Sequence, residues 1–239
     1  MDCTPESIRE SVENCLKILD GKKSLDIFEC ARVDPNVPIE TTIGTLAELV
    51  KQGKIGGIAL SEVKAETIRR AAKIHPIALV EVEVSLWATD VLTNGVAATC
   101  AELGIPIVAY SHMGQGMLTG EITKFEDLPE GDLRRHFPRF QPGVFEKNLE
   151  LVRELQKLAK EKGCTPAQLA LAWVKSLSGK DGNPVIVPIP GAVSAARVKE
   201  NCVDIQLSVQ EEKEIDDILA SFKVEGARYG GPAAKYMEG

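Results

Sequence analysis

The chain has 239 residues, 44% of them apolar and 26% charged, which suits one soluble domain with a sizeable core spanning 1–239. A net charge of -7 argues against nucleic acid or an anionic membrane surface as the main partner. No apolar run approaches the roughly 20 residues of a membrane span, and Met1-Asp-Cys-Thr-Pro-Glu6 lacks the basic and apolar regions of a secretory signal.

The six cysteines (Cys3, Cys15, Cys30, Cys100, Cys164, Cys202) show no CxxC and no nearby Cys/His grouping. Neither a metal site nor a disulfide framework is expected of that spacing; reduced, mostly buried thiols in the cytoplasm are.

In chain order, Thr4-Pro5-Glu6 opens a helix, with Thr as N-cap and Pro at the first helical position. Ile8, Val12, Cys15, Leu16 and Leu19 follow the helical period. Leu25–Glu29 reads as a buried strand, Ile39–Gln52 as a helix stopped by Gly53, and Ile55–Leu60 as the next strand. A helix over Ala65–Ile74, a strand over Ala78–Val84, a helix over Val91–Leu103 and a strand over Ile105–Ala109 continue the alternation. A long charged connection, Glu121–Gly143, leads to a helix over Val144–Lys162 that Gly163 stops. Thr165 caps a further helix that runs through Trp173 to Leu177. Pro184–Pro188 is the last strand, followed by helices over Ser194–Cys202 and Ser208–Phe222.

Alternating strands and helices predict a parallel α/β sheet with right-handed crossovers. Five strands fit an open doubly wound sheet, or a (β/α)8 barrel whose three leading units are absent.

The most informative stretch follows the fourth strand, where Tyr110 and Ser111 precede Gly114, Gly116 and Gly120. An aromatic plane beside glycine-freed backbone amides suits a flat ring joined to a diphosphate; an ordinary Gly-rich turn has the same composition. Glu81 and Glu83 lie two apart on one strand and so share a face. They would aim in parallel, which does not suit a glycosidase acid/base pair facing each other across a substrate.

Phe28-Glu-Cys-Ala-Arg-Val-Asp-Pro35, Gly56-Gly-Ile-Ala-Leu-Ser-Glu62, Val80-Glu-Val-Glu-Val-Ser-Leu-Trp87, Ala109-Tyr-Ser111 and Val187-Pro-Ile-Pro-Gly191 together resemble the aldo-keto reductases. Within that family the chain looks most like the fungal pyridoxal-reductase-like branch. The resemblance implies a (β/α)8 barrel of aldo-keto reductase type, truncated at its N-terminus, with strands four to eight present. It also implies an extended NADPH cofactor and a small-molecule carbonyl substrate. The lack of a GxGxxG motif agrees with that cofactor mode. Oligomeric state is left unassigned.

By resemblance, Tyr110 stacks on the nicotinamide, and Ser61 and Glu81 meet its carboxamide. Ser111, Met113, Gly114, Gln115 and Gly116 line the diphosphate. Gly191, Arg197, Glu200 and Asn201 match the adenosine end, with Arg197 expected against a 2′-phosphate. Glu62 stands where many members have Asn, and Gln115 where many have Arg. His112 reads as a phosphate neighbour or an exposed loop residue. Asp132–Phe140 resembles a loop near cofactor and substrate, with no individual roles assigned.

The family's catalytic Asp, Tyr and Lys belong to elements before Met1, and its His position aligns with Ala31. Tyr229 and Tyr236 sit in the C-terminal tail without a lysine at an activating spacing. No catalytic residue is assigned, and impaired activity is expected. A non-catalytic NADP(H)-binding regulatory module is the alternative, and some other α/β phosphate-binding enzyme is the third reading. Unpaired sheet edges lead to the expectation that the chain is unstable or aggregates.

Overall fold

The computed structural model describes residues 2–231. Five parallel strands, β1 (Ile27–Glu29), β2 (Gly57–Ser61), β3 (Leu79–Glu83), β4 (Ile107–Tyr110) and β5 (Ile186–Pro188), lie in the order β1-β2-β3-β4-β5. That order never reverses, so the doubly wound alternative fails: a doubly wound sheet needs a switch point. Successive right-handed crossovers put the helices on one face of the sheet. α1 (Pro5–Leu19), α2 (Ile39–Lys51), α3 (Ala65–Ala72) and α4 (Val96–Leu103) each pack on the next. After β4 come α5 (Val144–Lys162), α6 (Pro166–Ser176), α7 (Ala195–Asn201) and α8 (Val209–Ser221).

Register decides which residues share a face. Val80 pairs with Ile107 and Ile107 with Ile186, all fully buried beneath the helices. The opposite face carries Glu29, Ser61, Glu81, Glu83 and Tyr110, through the pairs Glu29↔Ala59, Ala59↔Leu79, Ser61↔Glu81 and Glu83↔Tyr110. It is only partly covered, since Ile27 and Val187 are exposed there on the two edge strands.

The expected elements are all present, with four corrections. Val91–Leu103 is not one helix: a short turn over Asp90–Leu92 precedes α4, because Gly95 at φ +92 breaks the path. The Asn94 side chain accepts from the Val96 amide at that break. Thr4 stands at the N-cap position, but its hydroxyl donates to Asp2 at 2.7 Å and does not cap α1. Thr165 does cap, forming a reciprocal box with Gln168. Glu121–Gly143 is no loose loop: it holds turns at Phe125–Asp127, Leu133–His136 and Pro138–Phe140, with Leu128, Arg139 and Phe140 buried. Of the six free cysteines only Cys3 and Cys100 are buried, and Cys202 is exposed.

Candidate active site

The carboxyl ends of parallel strands converge where crossovers begin, and sites form there. β2 ends at Ser61, and Glu62 follows in the left-handed region at φ +49. That turn brings the Glu62 carboxylate over the neighbouring strand, where its Oε1 accepts from the Glu83 amide at 2.9 Å. Oε1 also accepts from the Tyr110 hydroxyl at 2.7 Å. The Tyr110 ring is thus tethered at its far end, at the end of β4 where the sequence anticipated a stacking platform.

Arg228 completes the cluster. Its Nη2 donates to Glu62 Oε2 at 2.8 Å, and its Nη1 donates to Glu62 Oε1 at 3.1 Å and Glu83 Oε2 at 3.3 Å. The side chains of Glu62 and Glu83 are 3% and 2% exposed and that of Arg228 14%, so the ions act with little solvent screening. Burial works against the Glu62 carboxylate, yet Arg228, Tyr110 and the Glu83 amide together hold it below the usual carboxylate range. Glu83 goes the other way: burial pushes its carboxyl up despite Arg228 and Arg139 nearby. Burial and the Glu62 charge push the Tyr110 phenol up, and burial and Glu83 do the same to Tyr229. The Tyr229 hydroxyl donates to that of Tyr110 at 3.4 Å.

Arg228 and Tyr229 ride on a segment with a built dock. Asn148 of α5 clamps it: its Nδ2 donates to the Glu225 carbonyl at 3.0 Å, and its Oδ1 accepts from the Glu225 amide at 2.9 Å. Arg139 donates from Nε to the Gly226 carbonyl at 3.0 Å. Gly226 sits at φ +82, and a Cβ there would come within 2.9 Å of the Arg139 nitrogen. Phe137 meets the Tyr229 ring edge-on, centroids 5.4 Å apart.

Beyond Tyr110 the chain forms a cradle. Ser111, and then Gly114, Gln115 and Gly116 in succession, take positive φ, and the turn closes on itself where the Gly114 and Gly116 amides donate to the Ser111 and Met113 carbonyls at 2.7 and 3.0 Å. Arg134 reaches this cradle, donating from Nη1 to the Gln115 carbonyl at 2.8 Å while Asp132 holds its Nη2 at 2.6 Å. A cation therefore stands beside the position where the family's arginine is replaced by Gln115.

His112 is not an exposed loop residue but 2% exposed, and burial pushes its pKa down. Neither ring nitrogen has a hydrogen-bond partner among the described residues, nor has Gln115 Oε1.

Ser61 Oγ accepts from Arg32 Nη1 at 2.9 Å and retains its own proton to donate. Glu81 is half-buried beside it, on the open face. After β5, Gly191 is exposed and a Cβ there would touch nothing. Arg197 is held by Glu200 at 2.8 Å and by Glu121, just past the cradle, at 3.0 Å. Glu200 also accepts from Thr165 at 3.0 Å, and Asn201 ends α7 half-buried. The residues matched to the nicotinamide and the diphosphate thus lie together, and Arg197 is bridged to them through Glu121.

Sequence reasoning missed Arg228, Tyr229, Glu83 and Arg134 as site residues. One signal was available for the first two: Gly226-Ala-Arg-Tyr-Gly-Gly231 is a glycine-bracketed turn carrying one cation and one phenol. Tyr236 lies outside the described residues.

A parallel sheet wound in one direction, with a glycine-rich turn and a tethered tyrosine at its strand ends, fits the class of α/β enzyme that carries its site at the sheet's carboxyl edge. The aldo/keto reductase family model matches residues 1–220, and this chain belongs to that family of oxidoreductases. It is 40% identical over 233 residues to a probable pyridoxal reductase 2 of Schizosaccharomyces pombe, covering 94% of this chain and 68% of that protein. Among solved structures it is similar to a glycerol dehydrogenase of Gluconobacter oxydans, with a TM-score of 0.82 at 27% identity, over 95% of this chain and 67% of that one. A thermostable aldo-keto reductase in complex with the inhibitor epalrestat gives 0.69 at 26% identity, over 90% and 67%.

Proposed function

We propose that this chain binds NADPH across its strand ends, and that its chemistry is the reduction of an aldehyde or ketone, with a pyridoxal-like substrate. The observation that carries this reading is Tyr110, tethered by Glu62 directly ahead of the turn in which Ser111, Gly114, Gln115 and Gly116 take positive φ. In this reading β1 to β5 correspond to strands four to eight of the family barrel, which their unreversed parallel order supports. The likeness to a fungal protein named a probable pyridoxal reductase supports the substrate class.

Bound NADPH supplies a hydride. The chain's part is to seat the ring on Tyr110, donate from Ser61 to the carboxamide oxygen and accept its NH₂ at Glu81, and hold the diphosphate at the Ser111–Gly116 turn with Arg134. Arg197, already among carboxylates, would exchange Glu121 for a 2′-phosphate, which favours NADP over NAD. Proton donation is the weak step. The hydroxyls of Tyr110 and Tyr229 are bonded to Glu62 and to each other, and both are pushed above the usual phenol range. A phenol so placed is a poor acid.

Titration with NADPH, followed by its fluorescence, tests the cofactor reading: no change with a folded sample rejects it. Slow but measurable NADPH oxidation with pyridoxal supports an impaired enzyme, and turnover near the ~10 s⁻¹ typical of enzymes rejects the impairment. Binding with no detectable turnover over hours favours the second reading, a non-catalytic NADP(H)-binding module in the cytoplasm.

A further inference from the structure

We propose that residues 223–231 form an autoinhibitory strap whose Arg228 guanidinium occupies the polar seat beside Tyr110 that a nicotinamide carboxamide would otherwise fill. The inference rests on the reading of Tyr110 as the ring platform.

The hydrogen-bond inventory of Glu62 carries it. A carboxylate offers about four acceptor sites. Oε1 takes Tyr110, the Glu83 amide and Arg228 Nη1, and Oε2 takes Arg228 Nη2. An amide NH₂ needs the same acceptor that the guanidinium now fills. Glu83, on the same face, also accepts from Arg228 Nη1. A carboxamide whose NH₂ turns to Glu62, and not to Glu81, competes with Arg228 for one place, and the guanidinium must withdraw before the ring can seat in that way.

The strap is built to be released. After α8 ends at Ser221, residues 222–230 form no helix or strand, so their backbone is not fixed by a ladder. Its dock relies on a few side chains: the Asn148 clamp, Arg139 on the Gly226 carbonyl, and the exposed Lys147–Glu225 pair at 3.0 Å. These anchors lie at 225–226, and beyond Arg228 Tyr229 packs edge-on against Phe137 and donates to Tyr110. A segment outside regular structure opens at lower free-energy cost than the sheet and helices it packs on. A closed strap lowers apparent affinity by the fraction of molecules that are open.

The test compares the wild-type chain with Arg228→Gln and Gly226→Ala. The first removes the competing cation. The second leaves Arg228, Glu62 and Glu83 intact and unseats the strap by collision with the Pro138–Arg139 backbone. NADPH fluorescence titration should give both variants about tenfold tighter binding, as for a strap closed in about nine molecules of ten. Hydrogen exchange on the wild type should show faster exchange at 223–231 when NADPH is added. Equal or weaker binding in both variants, or unchanged strap exchange in NADPH-bound wild type, overturns the strap while leaving the cofactor reading standing. Absence of binding in all three overturns the cofactor reading, and the strap with it.

Discussion

Arg228 donates to the Glu62 carboxylate at 2.8 Å across 166 residues of sequence, joining the C-terminal segment to the end of β2. Glu62 is 3% exposed and Arg228 14%, so little solvent screens the pair. Glu62→Gln removes the nearer of the two carboxylates that hold the guanidinium and is expected to lower unfolding free energy by roughly 1–3 kcal/mol. The double variant Glu62→Gln/Arg228→Gln should lose clearly less than the sum of the singles, with a coupling of at least ~1 kcal/mol in a urea-denaturation cycle. Additive losses would mean that the pair does not act as a unit.

Tyr110 has two separable parts. Tyr110→Phe removes one donor from Glu62 and is expected to cost about 1–2 kcal/mol of stability while keeping the ring. NADPH affinity should stay within about threefold of wild type in Tyr110→Phe and fall by more than about tenfold in Tyr110→Ala, from the lost stacking surface. Equal losses in the two variants would place the effect at the hydroxyl and not at the ring.

Glu29 gives a pH signature. Burial, and then the Glu81 charge, raise its carboxyl to about 7. Between the ordinary carboxylate range and pH 7 the folded state holds a proton that the unfolded state has lost, so stability falls as pH rises through that window. Above pH 7 both states are ionised and the full penalty remains. Glu29→Gln should therefore raise Tm at pH 8 by roughly 2–4 °C, after allowance for its partial exposure, and leave Tm at pH 4.5 nearly unchanged. A gain at pH 4.5 as large as that at pH 8 would dispose of the titration argument.

The two open sheet edges lead to the expectation that the chain self-associates. β5 presents Val187, 46% exposed, with Val185 and Ile189 exposed on either side of it. Exposed apolar edge strands template association, and a lysine on the edge discourages it. Val187→Lys should cut the rate of aggregation, followed by light scattering, several-fold with little change in Tm. An unchanged rate would move the cause of aggregation elsewhere.

Much of this protein is local and was therefore legible in sequence. Thr165 with Gln168, Gly163, Gly104 and Gly53 punctuate helices through short-range hydrogen bonds and backbone conformation, and α5 spans the very residues its period predicts. Short apolar runs located the five strands, and their alternation with helices, broken only by the second helix before β5 and the second after it, implied the parallel sheet that is found. Tyr110 before a glycine-rich turn is likewise a local pattern. The split at Gly95 escaped because a helical period continues across it, and only the backbone conformation reveals the break.

Tertiary structure alone decided what surrounds Tyr110. Glu62 reaches it because its backbone turns to φ +49, which puts a buried carboxylate over the next strand. Arg134 arrives at the cradle from 19 residues away and Arg228 at Glu62 from 166 away. Periodicity reports which side of its own element a residue faces, whereas an ion pair depends on where two distant backbones cross. The sequence alone could therefore place the platform, and only the fold could set Arg228 against the carboxylate that tethers it.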